Sequence, residues 1–381
     1  MNNETKLLAN SQEPKANRIT YDWTLAGATF AKNRGRVFSC FAGGGGSTMG
    51  YKLAGLDVIG YNEVDPYMAR CYETNHKPAG HLCFQEPIQE FRRREVLPEE
   101  LYQLDILDGS PPCTSFSMAG IRERGWGKER KAKEGGVSQV LDTLFFEFIA
   151  LAERLQPKIV IAENVAGLRS GAANKYAEAI LTKLGEAGYV PLEFKLNARR
   201  MGVPQMRERI FFIALRRDLV ASVPNVGCRP LLDLTFDGAD ITYGMIADYE
   251  GRLMNTTTKS YQIWCRKRWG DSKFSQVLER DGQGGGLYSY QFQYANKVPY
   301  TITTRVRSTL FLYDQPRHLS DTELLKMSSW PRDYDFCGRR PDYVLGMSVP
   351  PLMIYGIASR ILEQWGVGDQ ADKSTTVANQ Q

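Results

Sequence analysis

The chain has 381 residues, 43% hydrophobic and 24% charged, a balance that fits a folded, core-bearing protein and excludes a disordered one. No run of about 18 apolar residues is read in it, and the polar start MNNETKLLANSQEPKANR lacks a leader's apolar segment, so no membrane contact and no secretion are expected. Forty-eight Lys and Arg against 43 Asp and Glu leave a net charge of +5, which permits a polyanionic partner without requiring one.

A single compact unit is near its upper size at this length, so two lobes are expected. Residues 1–30 and 366–381 are polar and aperiodic and read as flexible ends. From Arg36 to about Ala214 short apolar runs alternate with helical patterns. RVFSCF is followed by a helix from Thr48 to Ala54, LDVIGYNEV by one from Pro66 to Thr74, and LDILDGS by one from Leu141 to Leu155. KIVIAEN precedes a helix from Lys175 to Ala187, and YVPLEFKLN and RIFFIAL complete the series. This alternation predicts an α/β fold, a doubly wound and mostly parallel sheet with ligands at the carboxyl ends of its strands. From about Val223 to Arg307 Gly, Tyr, Arg and Lys dominate without a sustained helical period, which predicts a smaller, irregular, β-leaning lobe. A helical pattern resumes from Ser320 to Met327. The apolar helix from Pro351 to Trp365 must return to the first lobe to be covered, making that lobe discontinuous.

Four segments carry chemistry. VFSCFAGGGGSTMGYKLAGLDVIGYNEV places a glycine loop between a strand and a helix and an acid, Glu63, after the next strand. Glycines 43 to 46 allow close backbone approach to a ligand, and Glu63 can accept hydrogen bonds from ribose hydroxyls. A dinucleotide fold and an S-adenosylmethionine fold both suit this loop. A phosphate loop suits it least, because no Lys precedes Ser47 and Thr48. LDILDGSPPCTSFSMAG sets Cys113 directly after two prolines at a strand end, a stiff connection that suits a nucleophile better than a buried structural thiol. KIVIAENVAGL ends a strand with Glu163, able to donate or share a proton in the same cleft. QMRERIFFIAL alternates Arg207 with Arg209, so both share one face and point to substrate oxygens or phosphates. The seven cysteines are odd in number and contain no C-x-x-C pair, so neither a disulfide framework nor a metal centre is read, and a reduced cytoplasmic setting fits. With only His76, His81 and His318 present, histidine chemistry is not expected at the centre.

Taken in order, these segments resemble the DNA (cytosine-5) methyltransferase family over residues 36–216 and 298–365. FAGGGG is similar to the family's first motif, NEVDPY to its second, GSPPCTSFSMAG to its fourth, LDTLFFEF to its fifth, ENVAGL to its sixth and QMRER to its eighth. PYTITTR with RHLSDTELLKMSSWP resembles the ninth, and GMSVPP with its helix the tenth. The resemblance implies transfer of a methyl group from S-adenosyl-L-methionine to carbon 5 of a flipped-out cytosine. Cys113, Glu163, Arg207 and Arg209 would be catalytic. Phe41, Gly43, Gly45, Glu63, Pro112, Leu144 and Ser348 would contact the cofactor, with Glu63 on the ribose. It implies double-stranded DNA as partner, a cognate restriction endonuclease, and a monomer, located at the nucleoid if the source is bacterial. The organisation expected is a catalytic and cofactor-binding domain at 31–216, a target-recognition domain at 217–297, and a segment at 298–365 returning to the first.

The loop IRERGWGKERKAKEGGVSQ after Cys113 mixes glycines with Arg122, Arg124, Lys128, Arg130, Lys131 and Lys133, which suits phosphate contact. Between Glu250 and Arg307 ten Lys or Arg face four acids, a net +6 that exceeds the charge of the whole chain. The aromatics Tyr261, Trp264, Trp269, Tyr288 and Tyr290 interleaved there are expected mostly in a core. Two positions depart from the family pattern: Met347 stands where Asn is usual, and Glu86 is only a stand-in for the acid near the adenine. A transfer RNA cytosine methyltransferase, a catalytically silent DNA-binding protein and a dinucleotide-dependent oxidoreductase are the rival readings, the last leaving the Pro-Pro-Cys turn unexplained.

Overall fold

The structure is a computed structural model and describes residues 21–112, 130–131, 138–139, 143–171, 173–224, 226–227, 230–284 and 286–366. In the large lobe the strands are β1 (Arg36–Cys40), β2 (Asp57–Asn62), β3 (Cys83–Phe84), β4 (Ile106–Gly109), β7 (Ile159–Val165), β8 (Tyr189–Asn197) and β9 (Glu208–Arg216), with β5 (Arg130–Lys131) and β6 (Ser138–Gln139) forming a separate antiparallel pair. They make a seven-stranded sheet in the order β3-β2-β1-β4-β7-β9-β8. Pairing is parallel from β3 across to β7, and β9 runs antiparallel to both β7 and β8. The mostly parallel sheet expected from the strand-helix alternation is therefore present, with its reversed strand next to one edge.

The helices follow from the sequence pattern. α1 (Gly46–Leu53), α2 (Pro66–His76), α3 (Ile88–Arg93), α4 (Leu144–Leu155) and α5 (Ala173–Glu186) cross between strands. α2 shows how such an element is started: Asp65 accepts from the amides of Tyr67 and Met68, and Pro66 occupies the first helical position, where it has no amide to waste. One face of the sheet is covered by α3, α4 and α5 through Phe91, Phe145, Phe148, Leu151 and Ile180. The other is covered by α1 and by α11 (Pro351–Trp365), through Tyr51, Ile354, Ile357, Ile361 and Trp365. Each such side chain contributes roughly 1.5–3 kcal/mol by leaving water. A Cβ at Gly50 would lie 2.5 Å from the Pro351 carbonyl, so glycine is what lets α1 and α11 touch. The return of the C-terminal helix to the first lobe is thus as expected from its apolarity. By length and composition alone, the stretch Asp342–Trp365 could cross a membrane, contrary to the expectation that no such run exists. It is two elements, α10 (Asp342–Met347) and α11, separated by Ser348–Pro350, and 61% of its most apolar window is buried inside this fold.

The smaller lobe departs from the β-leaning expectation. Its core is Met254, Ile263, Phe274, Val277, Leu278, Phe292, Tyr294 and Phe311. Among the described residues it contains two helices, α6 (Lys259–Cys265) and α7 (Phe274–Arg280), and one parallel pair, β10 (Gln291–Gln293) with β11 (Leu310–Leu312). Each helix is about two turns long, too short to show a period in sequence. β11 and Phe311 thus pack within the small lobe although they lie beyond residue 297, while Val223, Leu232 and Leu234 pack against α11 on the large lobe. The chain passes through α8 (Val306–Thr309) and leaves the small lobe into α9 (Asp321–Met327). Residues 21–30 are anchored, not frayed: Tyr21 donates to the Gly202 carbonyl at 2.8 Å and Trp23 to that of Ser329 at 3.1 Å. Two aromatics with polar tips supply both burial and hydrogen bonds, which composition alone does not reveal.

Candidate active site

β1 and β4 are neighbours, but the chain leaves β1 towards β2 and leaves β4 towards β7, so their following loops diverge and open a crevice at the carboxyl ends. The glycine loop leaves β1 there, and Pro111 and Pro112 leave β4. Cys113 and the basic loop that follows it lie outside the described residues, apart from the backbone of β5 and β6. Asn164, at the end of β7, donates from its side chain to the Pro111 carbonyl at 3.2 Å and is itself 3% exposed. The two-proline turn leading into Cys113 is therefore tied to the strand that carries Glu163.

Glu163 and Arg209 form an ion pair at 2.7 Å, with only 13% and 15% of their side chains exposed. The register explains the meeting: Glu163 sits opposite Phe211 and Val165 opposite Arg209, so acid and base occupy adjacent rows of one face. Low exposure strengthens such a pair, and Arg209 also donates to the Glu208 carbonyl at 2.7 Å. Arg207 does something different. It is 2% exposed and donates to the carbonyls of Ile302 at 3.2 Å and Gly346 at 3.4 Å. Burial first, and then the Arg209 guanidinium, push its proton affinity well below the usual arginine value. Gln205 acts likewise, donating to Met327 O at 3.0 Å and accepting from the Ile302 amide at 3.1 Å. Gln205 and Arg207 thus join the end of the sheet to the C-terminal segments, and Arg209 alone of the alternating set pairs with the acid.

On the β1 side, Glu63 accepts the Gly43 amide on one oxygen at 2.8 Å and the Asp65 amide on the other at 2.9 Å. It has no cation partner among the described residues, and burial raises its pKa above the ordinary glutamate value. Each oxygen keeps a lone pair, so the group suits two neutral hydroxyl donors such as a ribose diol. Gly43 lies at φ 52, and a Cβ built on it meets nothing nearer than Ser348 Oγ at 4.0 Å, leaving room above the loop. Behind the loop there is none: Tyr334 donates to the Gly44 carbonyl at 2.6 Å, and a Cβ on Gly45 would fall 2.2 Å from His76 Nε2. Ser348 donates to Val344 O at 2.7 Å and abuts Gly46. Phe41, at φ 51, turns its ring towards Phe148 at 6.5 Å, while Leu144 is 1% exposed at the start of α4. Pro112 is half-buried and Met347 is 56% exposed. Glu86 is paired with Arg94 through contacts at 2.7 and 3.1 Å, so its carboxylate is already engaged.

Three groups escaped sequence reasoning. Asp108, on β4, accepts from Ser39 Oγ at 2.8 Å and Tyr51 OH at 3.0 Å, and burial followed by the Glu163 charge pushes its pKa up to about 7. Asn164 was visible only as the neighbour of Glu163, and its contact crosses to another strand. Buried His76 lies beneath the glycine loop, where burial and then Lys52 hold its pKa well below the ordinary histidine value.

The profile of the family described as C-5 cytosine-specific DNA methylase matches residues 35–363. Among individual proteins, the Type II methyltransferase M.FnuDI of Fusobacterium nucleatum is 35% identical over 184 residues, 48% of this chain and 48% of that protein. The Type II methyltransferase M1.HphI of Haemophilus parahaemolyticus is 26% identical over 338 residues, 85% of each. The chain therefore spans about half the length of the first relative and most of the second. A solved DNMT2 mutant of Spodoptera frugiperda superposes with a TM-score of 0.59 at 16% identity, covering 86% of this chain and 99% of its own. Dnmt2 methyltransferase of S. pombe gives 0.53 at 15%, covering 87% and 99%. At those identities the likeness is one of fold.

Proposed function

The chain belongs to the C-5 cytosine-specific DNA methylase family, and from that premise we propose that it methylates carbon 5 of a cytosine rotated out of duplex DNA. The observation that carries the reading is the Glu163–Arg209 pair at 2.7 Å, on β7 and β9, beside the end of β4 from which Cys113 follows. S-adenosyl-L-methionine, when bound, supplies an electrophilic methyl group. The residues suit that cofactor: Glu63 has two free acceptor valences for a ribose and Gly43 is open on one side, while Phe41, Gly45, Pro112, Leu144 and Ser348 are assigned to it by the motif resemblance.

Cytosine carbon 5 is a poor nucleophile. Cys113 as thiolate adds to carbon 6, and the displaced electron pair makes carbon 5 able to attack. An ordinary thiol with a pKa of about 8.5 is only a few per cent ionised at neutral pH, so the reaction calls for a positive charge or a helix N-terminus beside the sulfur to favour the thiolate. Glu163 accepts from the exocyclic amine and delivers or shares a proton at ring nitrogen 3, which prevents negative charge from accumulating on the ring. Arg209 holds the base carbonyl oxygen while remaining on Glu163, and Arg207 supports it by fixing the strand end. Loss of the carbon 5 proton to a base, for which water suffices, expels the thiolate and restores aromaticity. Rotating the base out costs a few kcal/mol, which phosphate contacts from the basic loop after Cys113 offset.

The small lobe is the target-recognition domain in this reading, and a restriction endonuclease of matching sequence is the partner. The test is incubation of the full chain with a labelled methyl donor and either duplex DNA or transfer RNA, followed by nucleoside analysis. Label in 5-methylcytosine from duplex DNA is expected. Label on the exocyclic amine, on RNA alone, or nowhere contradicts the proposal.

A further inference from the structure

The cations of the small lobe are unequally committed. Arg266, Lys267, Arg268 and Trp269 follow α6 as one short loop ending at Gly270, which lies at φ 97. Arg266 is paired with Asp281 at 2.7 Å. Lys267 stands 3.2 Å from the Trp264 ring centroid and 5.0 Å from that of Tyr313, a cation held between two aromatic faces. Arg268 is exposed and has no ion pair or ring partner among the described residues. Trp269 is 76% exposed, although it is the largest apolar side chain in the segment.

The loop is held firmly beneath these two side chains. Asp271, 8% exposed, accepts the Arg268 amide at 2.7 Å and is itself gripped by Arg280 at 2.8 and 3.0 Å. Arg280 also donates to the Arg266 carbonyl at 2.9 Å, so one guanidinium closes both ends of the loop. The Gly270 amide donates to Tyr294 OH at 3.1 Å, and Trp269 rests edge-on against Tyr294 and Tyr313, themselves stacked at 4.2 Å. An open groove lined by Thr257, Lys259, Gln262, Arg266 and Gln283 runs alongside. A fixed backbone that presents one unspent planar guanidinium beside an exposed ring suits a base edge better than a phosphate. A phosphate is met as well by any mobile lysine, whereas a guanidinium fork matches the O6 and N7 acceptors of guanine.

We propose that the loop Arg266–Gly270 is the sequence-reading element of the small lobe, with Arg268 contacting a guanine edge and Trp269 packing against the duplex beside it. The inference rests on the proposed DNA methylation and narrows it to one loop. Its test is methylation of a plasmid of known sequence by the full chain, Arg268→Ala, Arg268→Lys and Trp269→Ala, with every modified cytosine mapped by bisulfite sequencing. The wild type is expected to require a guanine besides the one opposite its target. Both Arg268 variants are expected to relax that position by roughly 5- to 150-fold, the span of a good bidentate contact. Arg268→Lys relaxes it although the charge is kept. Trp269→Ala is expected to slow methylation at limiting DNA, and the thermal midpoint of both Arg268 variants is expected unchanged because that side chain is exposed and makes no ion pair among the described residues. Unchanged sequence preference in both Arg268 variants overturns the inference, as does a wild-type context without such a guanine. Absence of methylation by the wild type overturns the proposed function instead.

Discussion

At the carboxyl ends of β4 and β7 and the adjoining amino-terminal end of antiparallel β9 the ionisable groups are buried and answered one by one: Glu163 by Arg209, Arg207 by two carbonyls, Asp108 by two hydroxyls. On the small lobe the pairs lie beneath the surface as struts, Asp271 with Arg280 and Lys267 between rings, while Arg268 and Trp269 stand in water. The contrast separates two physical tasks. Bond-making needs groups fixed at low dielectric, where a charge contributes most to a transition state. Reading a polyanion needs groups solvated in the free protein and desolvated only against the right sequence. Between the two regions lies a third arrangement, Arg317 with Glu323 at 2.7 Å, 2% and 0% exposed, joined by Tyr243 OH.

Substitutions sharpen this comparison. Cys113→Ser is expected to abolish methyl transfer, by about a thousandfold or more, with DNA binding retained; full activity would remove the covalent route. Glu163→Gln is expected to lower kcat by roughly 10²–10⁴-fold, the range of general acid catalysis, with a much smaller change in KM for DNA. At the joint, Glu323→Gln strips a buried arginine of its countercharge and should cost about 3–5 kcal/mol in urea unfolding. An equal cost from Asp281→Asn, whose partner Arg266 is exposed, would erase the distinction between buried and surface pairs.

Asp108 tests the cleft without touching the reacting groups. Its ordinary value is 3.8, and it stands at about 7 in the fold, so the native chain holds a proton that the unfolded chain releases. That contribution to stability is complete in acid and is lost as pH rises from about 4 through 7, on the order of 4 kcal/mol in all. Asp108→Asn should flatten this slope, read from urea midpoints between pH 5 and 8, and parallel curves would contradict the assignment. The smallest effect expected is at Glu63, where Glu63→Ala should raise KM for S-adenosylmethionine about tenfold or more through loss of the hydrogen bonds to its hydroxyls, with modest change in kcat.

The large lobe was legible because its strands are short apolar runs and its helices long enough to show a period; the stretch from Pro351 to Trp365 is the helix found. The motif residues were legible because chemistry restricts residue type and order. What stayed hidden depends on contacts across the chain. Nothing local distinguishes Arg207, spent on backbone carbonyls, from Arg209, paired with Glu163. Likewise the aromatics of the small lobe divide by packing: Tyr261, Trp264 and Tyr290 lean on its core, while Trp269 and Tyr288 face solvent at 76% and 62%. Tyr21 and Trp23 looked like part of a frayed end because their partners, Gly202 and Ser329, lie far along the chain.

The most direct test of the central claim is mass spectrometry of the full chain after incubation with S-adenosylmethionine and duplex DNA carrying 5-fluorocytosine at its target. Fluorine at carbon 5 cannot leave as a proton does, so the thiolate cannot be expelled. A stable adduct whose mass maps to the peptide containing Cys113 is expected. A preparation that methylates ordinary cytosine but forms no adduct, or forms it at another residue, would contradict it.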